Sequence, residues 1–210
     1  RRLRGTIDRT LTALGKVGAP STWVFENHDV TRLPTRYGGG ETGRRRARAA
    51  ALLLFGLPGT SFTYQGQELG LEEVDLPDEL RQDPIFFRSQ GARVGRDGCR
   101  VPIPWTTEPP SFGFTDGEPW LPLPAGWAGA SAETQRGEPG SMLELFRSAI
   151  RLRPRGEAFA WRESPEGTMI FDRGGLTCLV NVSAPELPLP EGELVLASDP
   201  AVTTTLPPNT

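Results

Sequence analysis

The stretch Phe25-Glu-Asn-His28-Asp29-Val-Thr-Arg32 brings a carboxylate, an imidazole, an amide and a guanidinium together directly after a short β-prone run, Ser21-Thr-Trp-Val-Phe25. Groups of these types at the polar end of a strand suit glycoside cleavage. An oxocarbenium-like transition state needs an anion beside it and hydrogen-bond donors for the sugar hydroxyls. A lone histidine in an arbitrary chain is more often structural than functional. Here the adjacent Asp29 and the strand-end position reverse that preference, because side chains at the C-terminal rim of parallel strands usually face a ligand. Arg32 suits either the substrate rim or a salt bridge within the loop. A second strand end is also polar: Gly59-Thr-Ser-Phe-Thr-Tyr64 runs into Gln65-Gly-Gln-Glu68.

The elements that must position these groups follow from periodicity. Leu3, Ile7, Leu11 and Leu14 recur at helical spacing and stop at Gly15 and Gly18. Ser21 to Phe25 reads as a buried strand. Pro34 and Gly38-Gly39-Gly40 mark a loop, and Thr42 to Phe55 reads as a helix that Thr42 caps and Gly56 and Pro58 end. With Gly59 to Tyr64 as the next strand, strand, helix and strand form a right-handed parallel βαβ unit by default. Residues 71–140 show little periodicity and many Pro, Gly, Trp and Phe, so they are expected to be a functional insertion rather than a plain connection. Ser141-Met-Leu-Glu144 opens a further helix with a capping box. From Phe159 the pattern changes to alternating runs, Phe159 to Arg162, Thr168 to Asp172, Leu176 to Val182 and Glu193 to Ala197, which predict a small antiparallel β domain with no clear closing strand.

These motifs resemble those of the α-amylase superfamily, in its α-glucosidase and oligo-1,6-glucosidase branch. An apolar strand followed by Asn-His-Asp, the family pattern at the seventh barrel strand, matches Trp23 to Asp29. The pattern at the eighth strand matches Gly56-Leu-Pro58 and then Tyr64-Gln-Gly66-Gln-Glu68. Gly95-Arg-Asp-Gly-Cys-Arg100-Val-Pro-Ile-Pro-Trp105, followed by Gly113-Phe-Thr115, looks like the loop after that strand in bacterial α-glucosidases. Asn-His-Asp alone is a weak signal, but three motifs in this order across residues 21–115 are a specific one.

The resemblance implies an α/β fold: the last two strands and helices of a (β/α)8 barrel in residues 1–155, with the long loop at 71–140, then an antiparallel β-sandwich domain, cut short, in 156–210. It implies that Asp29 is the transition-state-stabilising carboxylate, that His28 binds a sugar hydroxyl, and that Arg100 helps hold the non-reducing-end glucose. The alternative for Arg100 is pairing with Asp97 or another acid. Asn27 and Glu68 are expected to be structural, fixing the strand ends, and Tyr64 and Phe62 to be core. The implied substrate is an α-glucoside oligosaccharide. The family's nucleophile and general acid come from earlier strands and have no counterpart in this sequence, so the chain is expected to be a fragment, inactive by itself, of a retaining α-glucosidase. Alternatives are a non-catalytic barrel relative serving as a sugar-binding or interaction scaffold, and a transglucosylase or trehalose synthase relative.

Composition agrees with such a domain and excludes several others. Gly and Pro number 25 and 21 in 210 residues, which rules out a helical bundle or coiled coil. A net charge of −3 and the absence of a basic patch give no reason to invoke nucleic acid. The only lysine is Lys16; the remaining basic residues are Arg, a bias expected of a GC-rich genome. No apolar run reaches membrane-spanning length, so a soluble protein is expected, and the resemblance to bacterial α-glucosidases implies a cytoplasmic setting. Cys99 and Cys178 have neither a CxxC nor a His neighbour, so no metal or cofactor is expected here, and any calcium would be held elsewhere in a longer protein. Asn181-Val-Ser183 fits a glycosylation sequon by chance.

Overall fold

The computed structural model describes residues 2–156 and 158–210. In chain order its elements are α1 (Arg2–Gly15), β1 (Thr22–Val24), α2 (Leu33–Arg36), α3 (Gly40–Gly56), β2 (Thr60–Phe62), α4 (Pro84–Arg88), α5 (Ala132–Gln135), α6 (Met142–Leu152), β3 (Phe159–Trp161), β4 (Thr168–Arg173), β5 (Leu176–Asn181), β6 (Leu187–Pro188) and β7 (Thr205–Leu206). Packing divides the chain into two units that cut across the boundary expected near residue 155. One comprises Arg1–Phe25, Arg45–Phe62 and Leu145–Thr210, the other Glu26–Arg44 and Thr63–Glu144.

In the first unit β1 and β2 pair in parallel, with Thr22 opposite Thr60, Trp23 opposite Ser61 and Val24 opposite Phe62. This is the pairing expected of the βαβ unit. Trp23 is buried and its indole N–H donates to the Pro58 carbonyl at 2.5 Å, which satisfies the polar end of a large apolar group. Thr22 and Val24 are exposed, and Phe62 is 55% exposed, so within these residues the pair is covered on the face that carries Trp23 and open on the other. The apolar half of α3 buries Ala47, Ala51, Leu53, Leu54 and Phe55, and Phe55 meets Phe146 of α6 edge to face at 5.5 Å. Thr42 does not cap α3. The helix already begins at Gly40, and Gly43 N–H donates to Gly39 O. The Ser141 hydroxyl does accept from Glu144 N–H at the start of α6, while the Glu144 carboxylate accepts from Gly137 N–H.

The antiparallel part consists of a three-stranded sheet, β3-β4-β5, and the pair β6-β7. Phe159, Trp161 and Phe171 form its aromatic cluster, with Phe171 fully buried. The Arg173 guanidinium donates to the carbonyls of Gly56 and Leu57 at the end of α3. Glu193 to Ala197 is not a strand, and Leu194 and Val195 are exposed. The closing strand is Thr205–Leu206, paired with Leu187–Pro188, and Thr210 exchanges both backbone hydrogen bonds with Asn181. The Asn181 side chain is buried and its amide donates to Pro185 O and Leu206 O, leaving no room for a glycan.

The second unit shows that residues 71–140 are not an open loop. Leu71, Leu76, Val101, Phe112, Leu121 and Trp127 form a core of their own, bounded by short helical turns and irregular chain. Among the described residues, no helix is long and apolar enough to cross a membrane.

Candidate active site

Within the second unit the chain turns sharply after residue 26. The Asn27 side-chain oxygen accepts from Asp29 N–H at 2.8 Å, an Asx turn that fixes the backbone of His28 and Asp29. Both side chains are open to solvent, with 67% of the His28 and 50% of the Asp29 side chain exposed. The His28 imidazole Nε2 lies 3.6 Å from Asp29 Oδ2.

Two guanidinium groups meet the other carboxylate oxygen. Arg96 Nη1 donates to Asp29 Oδ1 at 2.8 Å and Arg100 Nη2 to the same atom at 2.9 Å. Arg100 Nε also donates to the His28 carbonyl at 2.8 Å, so one side chain spans the backbone of His28 and the carboxylate of Asp29. Arg100 is therefore paired with an acid, and that acid is Asp29 rather than Asp97. Asp97 is buried and accepts from Gln82 N–H and Asp83 N–H. Partial desolvation acts to raise the Asp29 carboxyl, but the hydrogen bonds from Arg96 and Arg100 and the charges of His28 and Arg96 outweigh it and hold the group below its ordinary value. Asp29 is thus an anion with one oxygen held by protein and the other beside an exposed imidazole.

Arg32 takes no part in this surface. It is fully buried, and of the two expectations for it the salt bridge is the one formed. Nη1 lies 3.0 Å from Glu26 Oε1 and 3.1 Å from Gln65 O, with the Tyr64 ring 5.0 Å from the guanidinium centre. Glu26 Oε2 accepts from Leu33 N–H, and Glu73 Oε2 from Arg32 N–H, so two carboxylates receive the first free amides of α2. The Glu68 carboxylate accepts from Gly66 N–H. Burial pushes the carboxyls of Glu26, Glu68 and Glu73 up. Tyr64 donates to Cys99 O, and desolvation raises the buried Cys99 thiol to about 11, which favours its protonated form.

Arg96 and Asp83 are the members of this cluster that sequence reasoning did not single out. Arg96 lies inside the Gly95–Trp105 motif, but its partner Asp83 is 13 residues away across irregular chain. Asp83-Pro84 does carry the signature of a helix start, and Asp83 caps α4 through Ile85 N–H.

The family described as "Alpha amylase, catalytic domain" matches residues 2–161. The chain is 38% identical over 139 residues to a probable alpha-glucosidase of Rhizobium meliloti, covering 66% of the chain and 25% of that protein. It is 33% identical to an oligo-1,6-glucosidase of Heyndrickxia coagulans, covering 64% and 28%. The chain thus spans about a quarter of the length of these curated relatives. Among solved structures it resembles the alpha-glucosyl transfer enzyme XgtA, with 37% identity and a TM-score of 0.75 over 91% of the chain and 37% of that protein. It also shares the fold of the trehalose-6-phosphate hydrolase of Bacillus licheniformis, with a TM-score of 0.78 at 22% identity over 98% and 45%.

Proposed function

The chain belongs to the alpha-amylase family, and from that membership we propose that it supplies the last two strands and helices of the catalytic barrel of a retaining α-glucosidase, followed by its β domain. Asp29 is the carboxylate that stabilises the oxocarbenium-like transition state, His28 donates to a hydroxyl of the glucose being cleaved, and Arg100 steadies both. The observation that carries this reading is the division of labour on Asp29. Oδ1 is occupied by two guanidinium donors, while Oδ2 faces the exposed His28 ring and is open to a sugar hydroxyl.

Retaining cleavage needs a nucleophile and a general acid about 5 to 5.5 Å apart, and earlier strands of the same barrel would supply both. What Asp29 adds is a fixed negative charge and an acceptor whose hydrogen bond to substrate strengthens as positive charge develops on the ring. That contribution is paid in the transition state rather than the ground state, so it raises kcat. The substrate is a malto- or isomalto-oligosaccharide with a terminal α-linked glucose, and carboxylate chemistry of this kind invokes no cofactor.

The 37% identity to a glucosyl transfer enzyme favours a second reading, in which a sugar rather than water accepts the glucosyl unit. Incubating the full-length protein with maltose, isomaltose, sucrose and trehalose and resolving the products separates the two. Free glucose supports hydrolysis and longer oligosaccharides support transfer. Sugar binding without any product would replace both with a non-catalytic scaffold.

A further inference from the structure

We propose that Asp83 and Arg96 are positioning residues for Asp29: the buried Asp83 carboxylate clamps the Arg96 guanidinium, and Arg96 in turn holds Oδ1 of Asp29 so that Oδ2 is left for a sugar hydroxyl. This rests on the reading of Asp29 given above.

The Asp83 carboxylate is out of solvent and fully engaged. Its Oδ2 accepts from Arg96 Nε at 2.6 Å and from Arg96 N–H at 2.9 Å. Its Oδ1 accepts from Arg96 Nη2 at 3.2 Å and from Ile85 N–H at 3.0 Å. The Asp83 backbone is itself tied down by the buried Asp97. Arg96 is therefore gripped through a bidentate fork and its own backbone, an arrangement that sets both the position and the plane of a guanidinium. Its one nitrogen outside this fork, Nη1, donates to Asp29.

Gly95 makes the clamp possible. It sits at φ +81°, and a Cβ there would lie 2.7 Å from the Asp83 Cβ, so a side chain at this position would push Asp83 and Arg96 apart. Arg100 reaches the same Asp29 oxygen but is anchored on the His28 carbonyl. The two arginines thus fix Oδ1 from separate supports, and rotation of the carboxylate would break two charge-assisted hydrogen bonds at once.

The test uses the full-length protein and three variants, Arg96→Gln, Arg96→Lys and Asp83→Asn. The Asp29 carboxyl is titrated by 13C NMR, with the Asp29→Asn protein identifying its signal, and kcat and KM are measured on an α-glucoside. Arg96→Gln is expected to raise the Asp29 titration point and to lower kcat about 10- to 100-fold with little change in KM. Arg96→Lys keeps the charge but not the fork, so it is expected to restore the titration more than the rate. Asp83→Asn is expected to move both readouts in the direction of Arg96→Gln. If it does not fold, Arg96→Gln decides alone, its side chain being 41% exposed. Wild-type titration in Arg96→Gln overturns the inference, whether or not kcat falls. If the wild-type protein cleaves no α-glucoside, the functional reading fails, while the titration still decides whether Arg96 holds Asp29.

Discussion

Arg32 Nη1 and Glu26 Oε1 are 3.0 Å apart with both side chains wholly excluded from solvent, and the same guanidinium nitrogen also donates to Gln65 O. This pair joins two motifs that are distant in sequence. Arg32 follows the Asn-His-Asp segment, and Gln65 lies in the Tyr-x-Gly-x-Glu segment. A buried pair of this kind is weak as a source of net stability but costly to break. Among the described residues, Arg32 Nε and Nη2 have no hydrogen-bond partner, so removing Glu26 leaves the cation without a counter-charge on its best-bonded side. Glu26→Ala is expected to cost about 3 to 5 kcal/mol in denaturant unfolding. Glu26→Met combined with Arg32→Met is expected to cost less than Glu26→Ala alone. A loss below about 1 kcal/mol for Glu26→Ala would show that the pair does not carry this junction.

Gly66 answers to the same arginine. It sits at φ +85°, and a Cβ there would meet Leu71 Cδ1 at 2.8 Å and Arg32 Nη1 at 2.9 Å. Gly66→Ala combines left-handed strain with a clash against a buried cation, and is expected to destabilise by about 2 kcal/mol or more. Unfolding midpoints of the variant and the parent protein measure it, and an unchanged midpoint would contradict the close approach.

The parts of this arrangement that were legible in the sequence are the local ones. The parallel pairing of Trp23 with Ser61 followed from strand, helix and strand in succession, and the Ser141 cap from its distance to Glu144. Asp83 and Arg96 were not legible, because a bidentate grip across 13 residues of irregular chain leaves no periodic trace. Glu193 to Ala197 alternates like a strand but has no partner in register. Thr205–Leu206, hidden between Thr and Pro residues, pairs instead.

Acid–base linkage predicts a stability maximum in mildly acidic solution. Burial raises the carboxyls of Glu68 and Glu73 above the ordinary value of 4.5, so the folded form binds protons more readily than the unfolded chain. Stability therefore rises as pH falls from neutral toward 4.5. Asp83 and Asp172 are held low by their Arg96 and Arg162 hydrogen bonds, and Asp29 is held low against partial desolvation. Their contributions are present above the ordinary aspartate value of 3.8 and are lost as pH falls through the lowered folded values. Urea midpoints should rise as pH falls from neutral toward 4.5 and fall again as pH drops below 3.8. A midpoint that falls steadily from neutral pH to 4.5 would contradict the first half of this prediction.

The proposed role of Asp29, held by Arg96 and Arg100, is to stabilise the transition state of α-glucoside cleavage. The most direct measurement compares kcat on a chromogenic α-glucoside for the full-length protein and its Asp29→Asn variant, an isosteric change that removes the charge. Turnover by the parent protein is expected, with a loss of about 100-fold or more in the variant and KM changed far less. A variant that turns over at close to the parent rate would contradict it.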